Sequence, residues 1–351
     1  MQYHTLTITN QLLNSISEID EFRGTWAFLK NLTPEKLNSL RKTATIESVG
    51  SSTRIEGVKL SDAEVENLLS GIKTHAFDSR DEEEVAGYAE LMNLIFDSYE
   101  EIPLTENYIK QLHGILLKYS SKDVRHKAEY KTLPNDVHAF NTEGKSIGVV
   151  FATTTPFDTP FAMQELLKWV NTAFAEKIHH PLLIIATFIV HFLAIHPFQD
   201  GNGRLSRALT TLLLLKNNYA YVPFASLESV IEINKEKYYL ALRKLQVTLS
   251  TPNYNIEPWV TFFLDTLKAQ KNNLLQKLEQ AKASINLPRL SEQILELCKS
   301  QGRLTLSDAA HNIDANPRTI RDHIYRLVRE GYLIKHGERK AVWYEIGGDM
   351  S

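Results

Sequence analysis

Apolar residues recur at helical intervals along most of the chain. Thr33-Pro34-Glu35 combines an N-cap residue with proline at the first helical position, and Leu37, Leu40 and Ala44 follow at helical spacing. Ser61-Asp62-Ala63-Glu64 is a capping box that opens a short helix stopping at Gly71. Residues 82–99 place Val85, Tyr88, Ala89, Met92 and Phe96 on one stripe, and residues 105–119 repeat the pattern. Further helices are expected over 161–176, 181–195, 202–217, 233–249 and 258–283. Between residues 130 and 160 turn signals take over, and Ile147-Gly148-Val149-Val150-Phe151 reads as part of a short hairpin. The polar run 268–284 reads as a connector, and the rhythm changes after it. A helix over 291–300 is followed by a short one over 308–312 with Ser307 as its cap, a turn, and a helix over 317–329 ended by Gly331. Tyr332-Leu333-Ile334 and Ala341-Val342-Trp343-Tyr344 then read as a hairpin. Helix-turn-helix followed by a hairpin is the winged-helix pattern. The fold class is mainly α, and no internal repeat is visible.

Composition narrows the functional classes. The 351 residues include 39 Lys+Arg and 42 Asp+Glu, a net charge of −3, which argues against a surface built throughout for nucleic acid or anionic membrane. Hydrophobic residues at 43% and charged residues at 23% exclude a disordered chain. The single cysteine, Cys298, excludes an internal disulfide and a cysteine-based zinc site, and it fits a reducing compartment. The opening MQYHTLTITN lacks a basic start followed by an apolar stretch, so no signal peptide is expected. The longest apolar stretch, Pro181–Ile195, is shorter than the roughly 20 residues of a membrane span and reads as a buried core helix. A cytoplasmic protein is expected.

Candidate chemistry concentrates in His196-Pro197-Phe198-Gln199-Asp200-Gly201-Asn202-Gly203-Arg204-Leu205-Ser206-Arg207. An apolar helix delivers an imidazole onto a loop, and a new helix begins near Asn202. Glycines at a helix N-terminus let backbone N–H groups approach an anion, and the helix dipole favours negative charge there. Arg204 and Arg207, three residues apart, can reach one polyanion. Asp200 supplies the hard oxygen that Mg²⁺ prefers when shared with phosphates. His196 has an ordinary pKa of about 6.5, suited to a general base near neutral pH. Asp200 with Arg204 at i,i+4 is also compatible with a plain ion pair. Zinc binding by His191 with His196 fails on spacing, since five residues do not share a helix face.

This segment matches HPFxDGNGRxxR at every defined position and so resembles the signature of Fic-domain proteins. The resemblance implies a Fic fold, a helical core with a β-hairpin flap, over about residues 90–250. Residues 1–89 would then form an N-terminal helical region, 251–287 a connecting helix and 288–351 the winged-helix domain. It further implies transfer of AMP from Mg·ATP to a Ser, Thr or Tyr hydroxyl of a target protein, a nucleotidyltransferase reaction. On this resemblance His196 deprotonates the hydroxyl and Asp200 binds Mg²⁺. Gly201, Asn202 and Gly203 hold the inner phosphates, Arg204 and Arg207 the outer ones, with Leu205 and Ser206 inside the same stretch. An intact Gly203 favours adenylylation over phosphorylation. Ile147, Gly148, Val149 and Val150 fall at the flap that aligns a target segment by strand addition. Tyr238 and Tyr239 resemble tyrosines lining the adenine and ribose pocket, and Gln246 adds a polar contact; both tyrosines are equally compatible with core positions.

Ser52-Thr53-Arg54-Ile55-Glu56-Gly57 matches the family's inhibitory pattern (S/T)xxxE(G/N). Ser52 and Glu56 are i,i+4, on one helix face. The implied contact pairs Glu56 with Arg207 and blocks the fork that the γ-phosphate needs. In relatives the same glutamate can assist removal of AMP, which leaves a reversing activity open. Self-modification and homodimerisation are further expectations from the family. Residues 288–346 carry ten Lys/Arg against eight Asp/Glu, with Arg318, Arg321, Arg326 and Arg329 on the second helix. Weak DNA binding and a protein-contact role remain alternatives for this module, and a nucleotide-sensing DNA-binding regulator remains the alternative for the whole chain.

Overall fold

The computed structural model describes residues 8–29, 34–71, 77–140, 146–249, 251, 254–285, 287–337 and 342–347. The chain divides into two compact units, residues 1–274 and 275–351.

In the first unit the helices are α1 (Asn10–Leu29), α2 (Pro34–Ile55), α3 (Asp62–Gly71), α4 (Arg80–Ser98), α5 (Glu106–Leu116), α6 (Thr159–Glu176), α7 (Pro181–Ile195), α8 (Asn202–Lys216), α9 (Leu227–Ile233) and α10 (Lys235–Thr248). α11 (Glu257–Ile285) begins here, burying Trp259, Val260, Leu264 and Leu267. α7 carries no polar face, and Leu182 through Ile195 are all buried. A helix apolar all round can only lie at the centre of a core. Proline at its first position and the His180 ring, which accepts from the Leu182 N–H at 3.4 Å, start it. His191 is a core histidine, its Nδ1–H donating to Thr187 O at 2.8 Å.

α1 is not among the helices the turn and cap signals predict. It exists because Leu12, Ile16, Ile19, Phe22 and Trp26, at helical spacing, are all buried, with Phe22 against Tyr221 and Trp26 against Phe224. α4 starts two residues before the expected point because Ser79 accepts from the Glu82 N–H. The Ser61 capping box forms as expected: Glu64 Oε2 accepts from the Ser61 N–H at 2.8 Å. The hairpin is real: β1 (Val137–Phe140) pairs antiparallel with β2 (Ser146–Phe151), with Val137 opposite Phe151 and Phe140 opposite Ser146.

The second unit contains α12 (Arg289–Gln301), α13 (Leu306–Asn312), α14 (Pro317–Arg329) and the antiparallel pair β3 (Leu333–His336) and β4 (Trp343–Ile346). Ile294, Cys298, Ile320, Ile324, Leu327 and Tyr344 form its core. Cys298 is buried there and is structural. Leu304 and Tyr344 exchange two backbone hydrogen bonds of 2.8 Å, which ties the segment before α13 to β4. The cap of α13 is Thr305 rather than Ser307. Thr305 Oγ1 accepts from the Asp308 N–H at 3.1 Å while Asp308 accepts from the Thr305 N–H, a reciprocal box that Ser307 cannot make from inside the helix. Among the described residues no helix is long and apolar enough to cross a membrane.

Candidate active site

α7 ends where His196 enters the left-handed region, with φ +53° and ψ +60°. This conformation costs a non-glycine residue about 1–2 kcal/mol. Pro197 cannot extend the helix, so the chain turns sharply and the largely buried imidazole is placed on the wall of a cleft. The loop is closed by Asn202, whose side chain accepts from the Phe198 N–H at 2.9 Å and donates to Phe198 O at 2.6 Å. Both ends of that buried amide are therefore spent on loop geometry. What Asn202 can offer an anion is its backbone N–H, one of the first in α8, which lack an intrahelical acceptor.

Gly201 caps α8 with φ +80°, a conformation that favours glycine, and its N–H donates to Asp200 Oδ1 at 2.7 Å. The other oxygen of Asp200 lies 3.3 Å from Arg204 and 3.2 Å from Arg80 of α4. Arg204 is only 1% exposed, and its second nitrogen lies 2.8 Å from Glu84 of α4. Arg80 also bonds Glu84, at 2.7 Å. Burial alone would raise the Asp200 carboxyl, but Arg204, the Gly201 N–H and Arg80 outweigh it and hold it below the usual range. His113 of α5 stacks on Phe198 at 3.8 Å, accepts from the Ala128 N–H and donates to Asp200 O at 3.0 Å. Arg80, Glu84 and His113 carry no motif in the sequence.

Arg207 is 3% exposed in its side chain and is held by Ser52 of α2 and by Glu56 just beyond it, while its Nη1 is buried without a hydrogen-bond partner among the described residues. Its Nε donates to Ser52 Oγ, and Nη2 donates to Ser52 O and Glu56 Oε1, each at 2.8 Å. Glu56 follows the last residue of α2, where Gly57 at φ +108° lets the chain turn away and its N–H bonds back to Arg54 O. Burial would raise the Glu56 carboxyl, but Arg207 outweighs it and the pKa is lowered. A Cβ added to Gly203 would collide with Glu56 Oε1, so that carboxylate lies directly over the start of α8. The end of α2 is pinned from outside as well. Arg54 makes two bonds to Glu232 of α9, at 2.7 and 3.0 Å, and Lys235 donates to Ile55 O at 2.7 Å.

A cleft of about 530 Å³, including its open mouth, is lined by Glu56, Leu193, His196, the segment 200–204, Tyr238, Tyr239 and Leu242. The structure thus brings together His196, Asp200, Gly201, Asn202, Gly203, Arg204, the two tyrosines and Glu56. Arg207 lies behind Glu56, and Leu205 belongs to the core. Ser206 donates to Gly203 O at 2.7 Å, and Gln246 lies off the cleft lining, donating to Ala152 O at 2.7 Å. Ile147, Gly148, Val149 and Val150 lie on β2, and Gly148 pairs with Ala139.

Burial pushes the imidazoles of His196, His113 and His191 down from 6.5 to about 4. All three are neutral in the fold at pH 7. Because the folded pKa values lie below the unfolded ones, stability is full above about pH 6.5 and falls as pH drops towards 4. Each group contributes up to roughly 3 kcal/mol of that loss. We expect the urea midpoint to fall steeply between pH 7 and 4.5, and to regain part of the loss in a His191→Gln chain. A midpoint that is flat over this range would contradict the burial of these rings.

The Fic/DOC family is matched over residues 103–214. A probable protein adenylyltransferase of Aquifex aeolicus is 30% identical over 99 residues, which cover 28% of this chain and 28% of that protein. The protein adenylyltransferase Fic of Drosophila melanogaster is 31% identical over 110 residues, 31% of this chain and 20% of that protein. The chain thus spans between a fifth and somewhat over a quarter of these curated relatives. Among solved structures, a Fic domain containing signaling protein from Bacteroides thetaiotaomicron is 27% identical with a TM-score of 0.60, covering 76% of this chain and 97% of that one. A Fic family protein from Desulfovibrio desulfuricans, 23% identical, shares the fold at a TM-score of 0.62 over 98% of both chains. The unbroken HPFxDGNGRxxR loop sits inside the matched residues, and the helices around it follow the same fold, so the chain carries a Fic domain over residues 103–214.

Proposed function

We propose that the protein is an adenylyltransferase that moves AMP from Mg·ATP to a Ser, Thr or Tyr hydroxyl of a target protein, and that Glu56 holds it inactive. The observation that carries this reading is the opening of His196 and the N-terminus of α8 into one cleft. His196 Nδ1–H donates to Leu193 O at 3.2 Å, which assigns Nε2 as the nitrogen that accepts a proton. In the proposed step the target hydroxyl loses its proton to Nε2 and its oxygen bonds to the α-phosphorus. The bond to the bridging oxygen breaks and pyrophosphate leaves. The first N–H groups of α8 cradle the phosphates, with Gly203 allowing close approach. Tyr238 and Tyr239 face the nucleoside end.

Asp200 fits the Mg²⁺ expected with the nucleotide: one hard oxygen, held ionised and partly exposed, suits an ion that takes its remaining ligands from phosphates and water. When bound, Mg²⁺ neutralises phosphate charge. Arg204, locked between Glu84 and Asp200, keeps the carboxylate aimed at the cleft.

The second unit is read as a winged helix. Arg318, Arg321, Arg326 and Arg329 are exposed on α14, which favours a modest contact with an anionic partner; salt-dependent retention of duplex DNA is its signature.

The discriminating experiment incubates the chain with ATP labelled at the α- or the γ-phosphate. Label on protein from the α-position alone is expected. Label from γ alone would make the reaction kinase-like, and none from either, even with Glu56→Gly, would leave only nucleotide sensing.

A further inference from the structure

Four successive carbonyls, from Ile195 to Phe198, lie where α7 has ended and no helix can satisfy them. Two side chains and one backbone N–H from the segment before β1 take all four. Lys131 Nζ donates to Ile195 O at 3.0 Å, and the Lys131 N–H donates to Pro197 O at 2.8 Å. Asn135 Nδ2 donates to His196 O at 3.2 Å and to Phe198 O at 2.6 Å.

The same two residues hold the foot of the hairpin. Lys131 Nζ also donates to Asn135 Oδ1 at 2.8 Å and Thr153 Oγ1 at 2.9 Å, so its three hydrogens meet three acceptors. Thr153 Oγ1 donates in turn to Asn135 Oδ1 at 2.9 Å. Thr153 lies just beyond β2, and its N–H bonds Asp136, the residue before β1, at 2.8 Å. Thr154 N–H reaches Ala194 O at 3.3 Å, closing the circuit from hairpin to α7.

We propose that Lys131 and Asn135 are positioning residues that fix the His196 loop and the base of the β1–β2 hairpin as one unit, so that a hydroxyl presented along the hairpin meets the imidazole. The proposal rests on the reading of His196 as the base for AMP transfer. Lys131 is 3% exposed, and burial lowers its pKa to about 8. An apolar side chain of the same length would fill this space without desolvating a charge, so packing does not account for an ammonium here. The accumulated carbonyls at the end of α7 do, since the C-terminal end of a helix favours a cation.

The test compares Glu56→Gly with Glu56→Gly combined with Lys131→Met, Lys131→Arg or Asn135→Ala, using α-labelled ATP and self-labelling as the readout. Lys131→Met and Asn135→Ala are expected to lower the maximal rate per folded molecule about 10- to 100-fold while half-saturating ATP stays within about threefold. Lys131→Arg, which keeps a charge and several donors, recovers part of the rate. A merely structural role would reduce the folded fraction and leave the rate of the remainder unchanged, and that result overturns the proposal. A second arm needs no activity. In Lys131→Met, and in Lys131→Arg should the first fold poorly, amide exchange at residues 153–155 and 194–198 is expected to quicken while α4 and α6 stay protected. Unchanged exchange there overturns the proposal. If Glu56→Gly alone takes no label, the AMP-transfer reading fails, and the exchange arm still decides the joint.

Discussion

Replacing Glu56 by glycine is expected to raise label transfer from ATP by a factor of about 5 to 150, the range set by a coupling of 1–3 kcal/mol. The carboxylate does two things at once. It accepts from Arg207 Nη2 at 2.8 Å, and it fills the space above Gly203 where a phosphate would approach α8. Its removal frees one N–H of Nη2 without releasing the arginine, because Ser52 Oγ still holds Nε and Ser52 O still holds Nη2. Arg207 is therefore presented for an outer phosphate with little reordering. Nor does the fold depend on this pair alone, since Arg54, Glu232 and Lys235 continue to pin the end of α2. The variant should nonetheless melt lower, because a buried guanidinium loses its counter-charge, and ATP should restore the loss by mass action. Equal labelling by wild type and Glu56→Gly would remove the brake from the proposal.

His196→Ala carries the other large effect. Transfer should fall by about 10² to 10⁴, the contribution of a positioned general base, and should stay there in the Glu56→Gly background. Nucleotide affinity should not follow, because the phosphate cradle belongs to α8 and Arg207. The substitution leaves the left-handed turn in place, held by the same carbonyl contacts. A rate within about threefold of the parent would show that the imidazole is not the proton acceptor, since even weak base catalysis is worth more. The pH profile is a companion measurement. With the His196 pKa lowered to about 4 by burial, the base is already neutral at pH 6, so the acid limb should lie well below the one expected of an ordinary histidine.

The His196 loop was legible because its candidate chemistry is contiguous: His196 through Arg207 lie in one run, and a loop entering a helix places them together. The apolar run of α7 likewise announced a central helix. Glu56 was legible as a pattern, while its partner was supplied by resemblance and its contact by the fold. Arg80, Glu84, His113, Lys131 and Asn135 left no such signal. Each reaches the loop from a segment 60 or more residues away in the chain, as with Arg80 and Asp200, 120 apart, and local spacing carries nothing about such meetings. α1 is a different case. Its apolar positions were periodic, but Asn10, Ser15, Ser17 and Gly24 are weak helix formers that dilute the local signal, and burial against Tyr221 and Phe224 decides the outcome.

Position 203 ties two requirements to a single missing methyl. The absence of a side chain there is what lets the glutamate come close, and on the proposed reading it would let a nucleotide come close as well. On that reading, a larger residue here would crowd the Glu56 carboxylate and an incoming phosphate alike, so a substitution at this point would not release one without hindering the other. If the brake operates as proposed, its release is expected to come from movement of α2 and the turn after it, leaving the floor of the cleft untouched.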